Sequence, residues 1–162
     1  MDFRSTVVGA IIIAICLVPF ILMRRASNKK RKQMFFSLDK IANEHQRQIS
    51  QHEMCGDFIL GSDQDTDFVF FYREKSNGSS SQSVDLSKIK SCQASKGTRT
   101  IKSKAGNSSI IERVDLSFLP KDKHKPEVKF ELFSVGDIQL NGELELADKW
   151  SAKINHRLQS EY

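Results

Sequence analysis

Between Val7 and Met23 the chain reads VVGAIIIAICLVPFILM, seventeen residues without a charge, and Arg24, Arg25, Lys29, Lys30, Arg31 and Lys32 follow directly. At 1.5 Å per residue, such a run with Ser5 and Thr6 added spans about 26–29 Å as a helix, close to the thickness of a bilayer's hydrocarbon core. The sequence therefore predicts a transmembrane helix over residues 6–23, preceded by a short extracytoplasmic stretch, 1–5. Pro19 frees one backbone carbonyl near the far end, where headgroup water reaches it. A cleaved signal peptide fits less well. The run exceeds the usual apolar stretch of about 7–15 residues, and no small-residue cleavage site precedes the cations. Around Cys16, the order Ala14-Ile15-Cys16 also lacks the small residues of a lipoprotein site.

Only Arg4 stands before the span, against six cations after it. That bias predicts a single-pass protein with its N-terminus outside and its remaining residues in the cytoplasm, at the plasma membrane or at the inner membrane of a bacterium. Residues 24–33 are expected as a basic juxtamembrane linker. Its cations can meet anionic headgroups at about 1 kcal/mol each, or serve only to stop translocation. They also account for the formal net charge of +5, since the rest of the chain is near neutral without them.

A chain of 162 residues has room for one anchor and one domain. The cysteines, Cys16, Cys55 and Cys92, are odd in number and far apart, which suggests neither a disulfide framework nor a zinc site. Met34, Leu38, Ile41 and Ile49 recur at helical spacing and predict an amphipathic helix over residues 34–54, packed on its own domain or on a second copy of itself. His45 falls on that stripe as a structural histidine. From Asp57 the period changes. Phe58-Ile59-Leu60 and Phe68 to Tyr72 read as a hairpin, and Ser76 to Ser81 as a flexible loop. Extended segments follow at Val84 to Leu86, Ile89 to Ala94, Thr98 to Lys104 after a break at Gly97, Ile110 to Leu119, Val128 to Leu132 and Val135 to Leu140. Leu144, Ala147, Trp150, Ile154 and Leu158 then recur at steps of three and four, and predict a helix that covers the sheet.

The expected fold is thus α+β: a transmembrane helix, an amphipathic helix, and an antiparallel sheet or partly open barrel of six to seven strands over 55–162, closed by a helix. This succession, with Glu145-Leu146-Ala147-Asp148-Lys149-Trp150-Ser151-Ala152-Lys153-Ile154 at its end, resembles the pleckstrin-homology-like superfold over Asp57 to Leu158. The whole also resembles an uncharacterised group of short bacterial membrane-anchored proteins. The superfold implies a binding module and no particular ligand. Its phosphoinositide-binding members hold phosphates with basic residues in the first hairpin loop, whereas this loop is Asp63-Gln64-Asp65-Thr66-Asp67.

Catalytic and metal patterns are weak. Asp63, Asp65, Asp67 and Glu74 match positions 1, 3, 5 and 12 of a calcium loop, but Phe68 stands where its sharp turn needs glycine. His45, His52, His124 and His156 are scattered. Ser37 with Lys40 and Ser87 with Lys90 have a serine–lysine spacing that is common by chance in a chain this rich in both, and the phosphate-cradling and nucleophile-elbow motifs are missing from the sequence. No cofactor, metal or enzymatic activity is expected. Lys88, Lys90, Lys96, Arg99, Lys102 and Lys104 form a run free of acids. It is either a solvated edge that discourages sheet aggregation or a patch for anionic lipid or an acidic partner. Nucleic acid is not expected, because the run carries no aromatic residue for base stacking. The sequence points to a membrane-tethered interaction domain, with a structural subunit of a membrane complex as the alternative, then an enzyme of unknown class; its partner is the bilayer or a protein not named by the sequence.

Overall fold

The computed structural model describes residues 3–63, 67–103, 106–137 and 140–160. Helix α1, Phe3–Glu44, is unbroken over 42 residues and carries Pro19 inside it. Among the described residues it is the one helix long and apolar enough to cross a membrane. Residues 24–33, expected as a linker, belong to it. They contain no glycine or proline, and alanine, lysine, arginine and glutamine extend an existing helix at little cost.

The helix expected to reach residue 54 stops at Glu44 instead. Gln46 N–H bonds Asn43 O at 2.9 Å and Arg47 N–H bonds Ala42 O at 2.9 Å, the paired bonds of a Schellman end. Gln46 takes the left-handed conformation that this end requires, φ 58°. Ile49 lies beyond the helix and packs on the sheet from a loop.

Seven strands follow: β1 Gln51–Cys55, β2 Phe58–Ser62, β3 Phe68–Lys75, β4 Gly78–Asp85, β5 Ile89–Ser103, β6 Gly106–Pro120 and β7 Val128–Ser134. Every ladder is antiparallel, and the order is β1-β2-β3-β4 in one sheet and β5-β6-β7 in another. The single sheet or partly open barrel expected from the sequence is thus two sheets. Asp85 caps the short 3-10 turn Leu86–Lys88 by accepting from Ser87 N–H, and buried Leu86 turns the chain from one sheet into the other.

Three local expectations change. The Ser76 to Ser81 loop shrinks to the two-residue turn Ser76-Asn77, because Gly78, φ 137°, starts β4 opposite Lys75. The expected break at Gly97 is a register shift in the β5–β6 ladder, with Glu112 of β6 left unpaired, and β5 runs on past it. Val135 to Leu140 forms no strand among the described residues, only an isolated bridge between Val135 and Asp137, and residues 138–139 lie outside the described residues.

Helix α2, Glu143–Ser160, lies on the second sheet with Ala147, Trp150, Ile154 and Leu158 buried. Asn155 fastens it by accepting from Cys92 N–H at 2.8 Å and donating to Cys92 O at 2.6 Å. Strands β2 and β3 are covered on both faces. Phe58, Leu60, Val69 and Phe71 point between the sheets, where Phe71 stacks on Phe130 at 5.1 Å. Ile59 and Phe70 point the other way, under Met34, Leu38 and Ala42 of α1. Double burial explains why these strands read as continuous apolar runs.

Candidate interaction surfaces

The way α1 meets the sheet fixes everything around it. Gly61 sits beneath the helix, and a Cβ there would lie 2.8 Å from Leu38 Cδ2 and 3.2 Å from Ile49 Cγ2. The missing side chain lets the helix lie this close. The stripe that would have served a second copy, Met34, Leu38 and Ala42, is therefore occupied by the protein's own sheet. Phe36 points away and is 71% exposed.

Between α1 and edge strand β1 runs a groove of about 760 Å³. Phe35, Phe36, His52 and Met54 supply its apolar walls, with Phe35 and His52 rings 4.7 Å apart, and Arg31 and Asp39 stand on its rim. Strand β1 has a neighbour on one side only. A two-residue hairpin turn, Gly56-Asp57, makes Cys55 and Phe58 a hydrogen-bonded pair, so alternation turns the backbone groups of His52 and Met54 toward the open edge. An extended peptide could add there as a further strand.

A second, more polar cleft of about 910 Å³ lies where Lys30 and Gln33 of α1 meet the turns at Gly56, Asn77 and Gly136. Its floor is Arg73, the third inward position after Val69 and Phe71 on β3. The Arg73 side chain is 3% exposed and pairs with Asp57 at 2.9 Å, Asp137 at 2.6 Å and Glu131 at 3.4 Å. Its Nη1 also donates to Glu131 O at 3.0 Å. Burial alone would lower the arginine's pKa, but the hydrogen bonds to Asp57 and Asp137 outweigh it and hold the charge more firmly than usual. Burial would likewise raise Asp137 and Glu131. Bonds from Ser134 N–H and Arg73 to the first, and from Lys75 to the second, leave both below their ordinary values. All the guanidinium nitrogens are thus committed within the fold, and this cluster ties the first sheet to the end of β7.

The structure scatters the groups that the sequence singles out. Arg24, Arg25, Lys29, Lys30, Arg31 and Lys32 are all exposed on α1. The later basic run is split between the two ends of β5. Lys88, paired with Asp85 at 2.9 Å, and exposed Lys90 lie at one end. Exposed Lys96 and Arg99 lie toward the other, with Arg99 3.5 Å from Glu112. Lys90 and Arg99 are separated by about 30 Å of extended chain. Lys102 belongs to the same distal half of β5, and Lys104 lies outside the described residues.

Of the calcium pattern, Asp65 lies outside the described residues, Asp67 pairs with Arg157 and Glu74 sits on β3. The hydroxyls of Ser37 and Ser87 are used locally, on Gln33 O at 3.0 Å and Asp85 Oδ1 at 2.6 Å. His45 is exposed beside the Phe68 and Phe70 rings and shares a hydrogen bond with Ser83. Burial pushes the Cys92 thiol up to about 12, and burial with nearby Glu143 pushes Cys55 up to about 11, so neither forms the thiolate that a nucleophile needs. Among the described residues no group of three His, Cys, Asp or Glu is placed to hold a metal ion.

No family model matches the sequence, and no curated protein or solved structure is significantly similar to it.

Proposed function

We propose that the protein is a membrane-tethered, non-enzymatic interaction module, with α1 anchored in the bilayer and the β-rich body facing the cytoplasm, where it meets a protein partner or the membrane surface. The observation that carries this reading is the continuity of α1. One helix holds an uncharged segment whose described side chains between Val7 and Met23 are all exposed, then a basic segment, then the stripe buried on the sheet. A helix joined in this way fixes the body at a set distance from the bilayer. Tethering raises the local concentration of anything the groove beside β1 binds, so weak contacts suffice.

The pleckstrin-homology-like reading of the body is supported by seven antiparallel strands in succession, followed by a helix with Trp150 at its centre. The acids at Asp63 and Asp67 speak against phosphate binding in the first long hairpin loop. A structural-subunit role would use what the sheet leaves free of the 34–44 segment, chiefly Phe36.

The reading is tested on sealed vesicles of both orientations. The full chain should resist alkaline carbonate extraction, and protease should remove residues beyond 44 only where the cytoplasmic face is outward. Release by carbonate, or digestion from the opposite face, would overturn it. Crosslinking from Phe36 in native membranes then separates the roles, since a fixed stoichiometric neighbour marks a subunit and transient contacts mark an adaptor.

A further inference from the structure

Strands β5 and β6 pair from Ile89 to Ser103, but β7 accompanies β6 only from Phe118 to Arg113. Beyond Arg113, where β7 ends at Ser134, the two strands continue as a two-stranded arm over residues 98–103 and 106–112, with no third strand beside them among the described residues. Such a ribbon has little to hold it in water. It nevertheless carries two large apolar side chains in the open, Ile101 at 44% and Ile110 at 49% exposure. The register sets Arg99 opposite Ile110, and alternation puts Ile101 on the same face. The arm thus presents two isoleucines and a cation on one face.

The direction of the arm can be read from its base. Lys75 Nζ bonds Ser134 Oγ at 3.1 Å, so β7 ends beside the end of β3. Lys30 and Gln33 of α1 line the cleft at that same end, and α1 climbs from there toward the apolar segment. Lys30 is seven residues from Met23, a helical rise of about 10 Å. Ile110 lies three residues beyond Arg113 on β6, and Ile101 pairs with Ser108, five residues beyond. Those steps correspond to about 10 Å and about 16 Å of strand. The arm beyond Arg113 and the helix between Lys30 and Met23 are therefore of similar length.

We infer that the β5–β6 arm is a second bilayer contact, which lays Ile101 and Ile110 into the boundary between headgroups and acyl chains while Arg99, on their face, meets anionic headgroups. This rests on the anchoring proposed above and deepens it. An amphipathic surface of this kind gains from both terms, apolar burial and attraction to negative lipid. Glu112, 3.5 Å from Arg99, and the acids paired with Arg113, Asp115 and Glu131, all lie at the arm's base, on the side away from the tip. With α1 as the first contact, the arm would fix the tilt of the body on the membrane.

The test reconstitutes the full chain in vesicles containing phosphatidylserine and lipids brominated in their acyl chains, and reads tryptophan quenching. Buried Trp150 supplies a constant background. Three variants are compared: Ile101→Trp in the arm, Ile13→Trp in the apolar segment and Lys123→Trp in the turn before β7. Quenching of Ile101→Trp at least threefold stronger than that of Lys123→Trp, and weakened severalfold by Arg99→Glu, is the expected result. If Ile13→Trp is quenched and Ile101→Trp behaves like Lys123→Trp, the arm inference fails while the anchor stands. If Ile13→Trp is not quenched, the anchoring reading itself fails. Shielding of Ile101→Trp that appears only in native membranes, and not in pure lipid, would assign the arm to a protein and overturn the bilayer contact.

Discussion

Two apolar clusters lie on opposite faces of the first sheet, and they differ in size and in what they join. The one between the sheets gathers eighteen buried residues from six strands, the 3-10 turn and α2. The one under α1 has five, Met34, Leu38, Ala42, Ile59 and Phe70, with Ile41, Ile49, Met54, Phe68 and Tyr72 packed around it. The larger cluster holds the body together. The smaller one holds the body to its helix, and with fewer buried contacts it is where local opening costs least.

Four substitutions break or sharpen that contrast. Phe130→Ala removes the ring between Phe71 and Phe118, and should cost about 3–5 kcal/mol. Urea unfolding followed through Trp150 should show the whole body lost together. Arg73→Met leaves Asp57 and Asp137 facing one another in the polar cleft and should cost about 3 kcal/mol at neutral pH. Because Asp137 is held below its ordinary value of 3.8 by the Ser134 N–H and by Arg73, its contribution is complete above that value and is lost as the pH falls through the depressed one. The difference between wild type and Arg73→Met should therefore shrink between pH 7 and pH 3. A constant difference would show that Asp137 does not depend on this arginine.

Leu38→Ala acts on the smaller cluster, at about 2–3 kcal/mol, and its signature is local. Amide exchange should quicken across residues 34–44 while β6 and β7 keep their protection; equal acceleration everywhere would mean that the two clusters are one cooperative unit. Gly61→Ala is expected to have the smallest effect, about 1–2 kcal/mol, by pressing a methyl against Leu38 and Ile49. It should loosen the same helical segment, and the addition of Leu38→Ala to it should recover part of the loss by making room.

Legibility in the sequence divides along the same line. The alternation of Val114, Leu116 and Phe118 and of Val128, Phe130 and Leu132 announced β6 and β7, and the spacing of Ala147, Trp150, Ile154 and Leu158 announced α2. Strand β1 gave no such sign, since Gln51, His52 and Glu53 are polar and lie on an exposed edge. Nor did β4, which opens Gly78-Ser79-Ser80-Ser81 and leaves those residues in solvent. A glycine at 46 would have marked the end of α1, whereas Gln46 does not. The inward rhythm of Val69, Phe71 and Arg73 did contain the buried arginine cluster, but its carboxylates come from three separate turns and strands. The groove beside β1 required knowing that α1 lies along that edge, which no local pattern encodes.

The unbroken run of α1 through residues 24–33 sets a compass bearing as well as a height. Each residue of helix turns the body by about 100° relative to the apolar segment and advances it about 1.5 Å. One residue inserted among the cations would swing the groove and the arm more than a quarter of the way round while hardly changing their distance from that segment. Seven inserted residues would restore the bearing almost fully and carry the body about 10 Å farther off. The spacing of this basic stretch is thereby a timing mark between the apolar segment and everything the body presents.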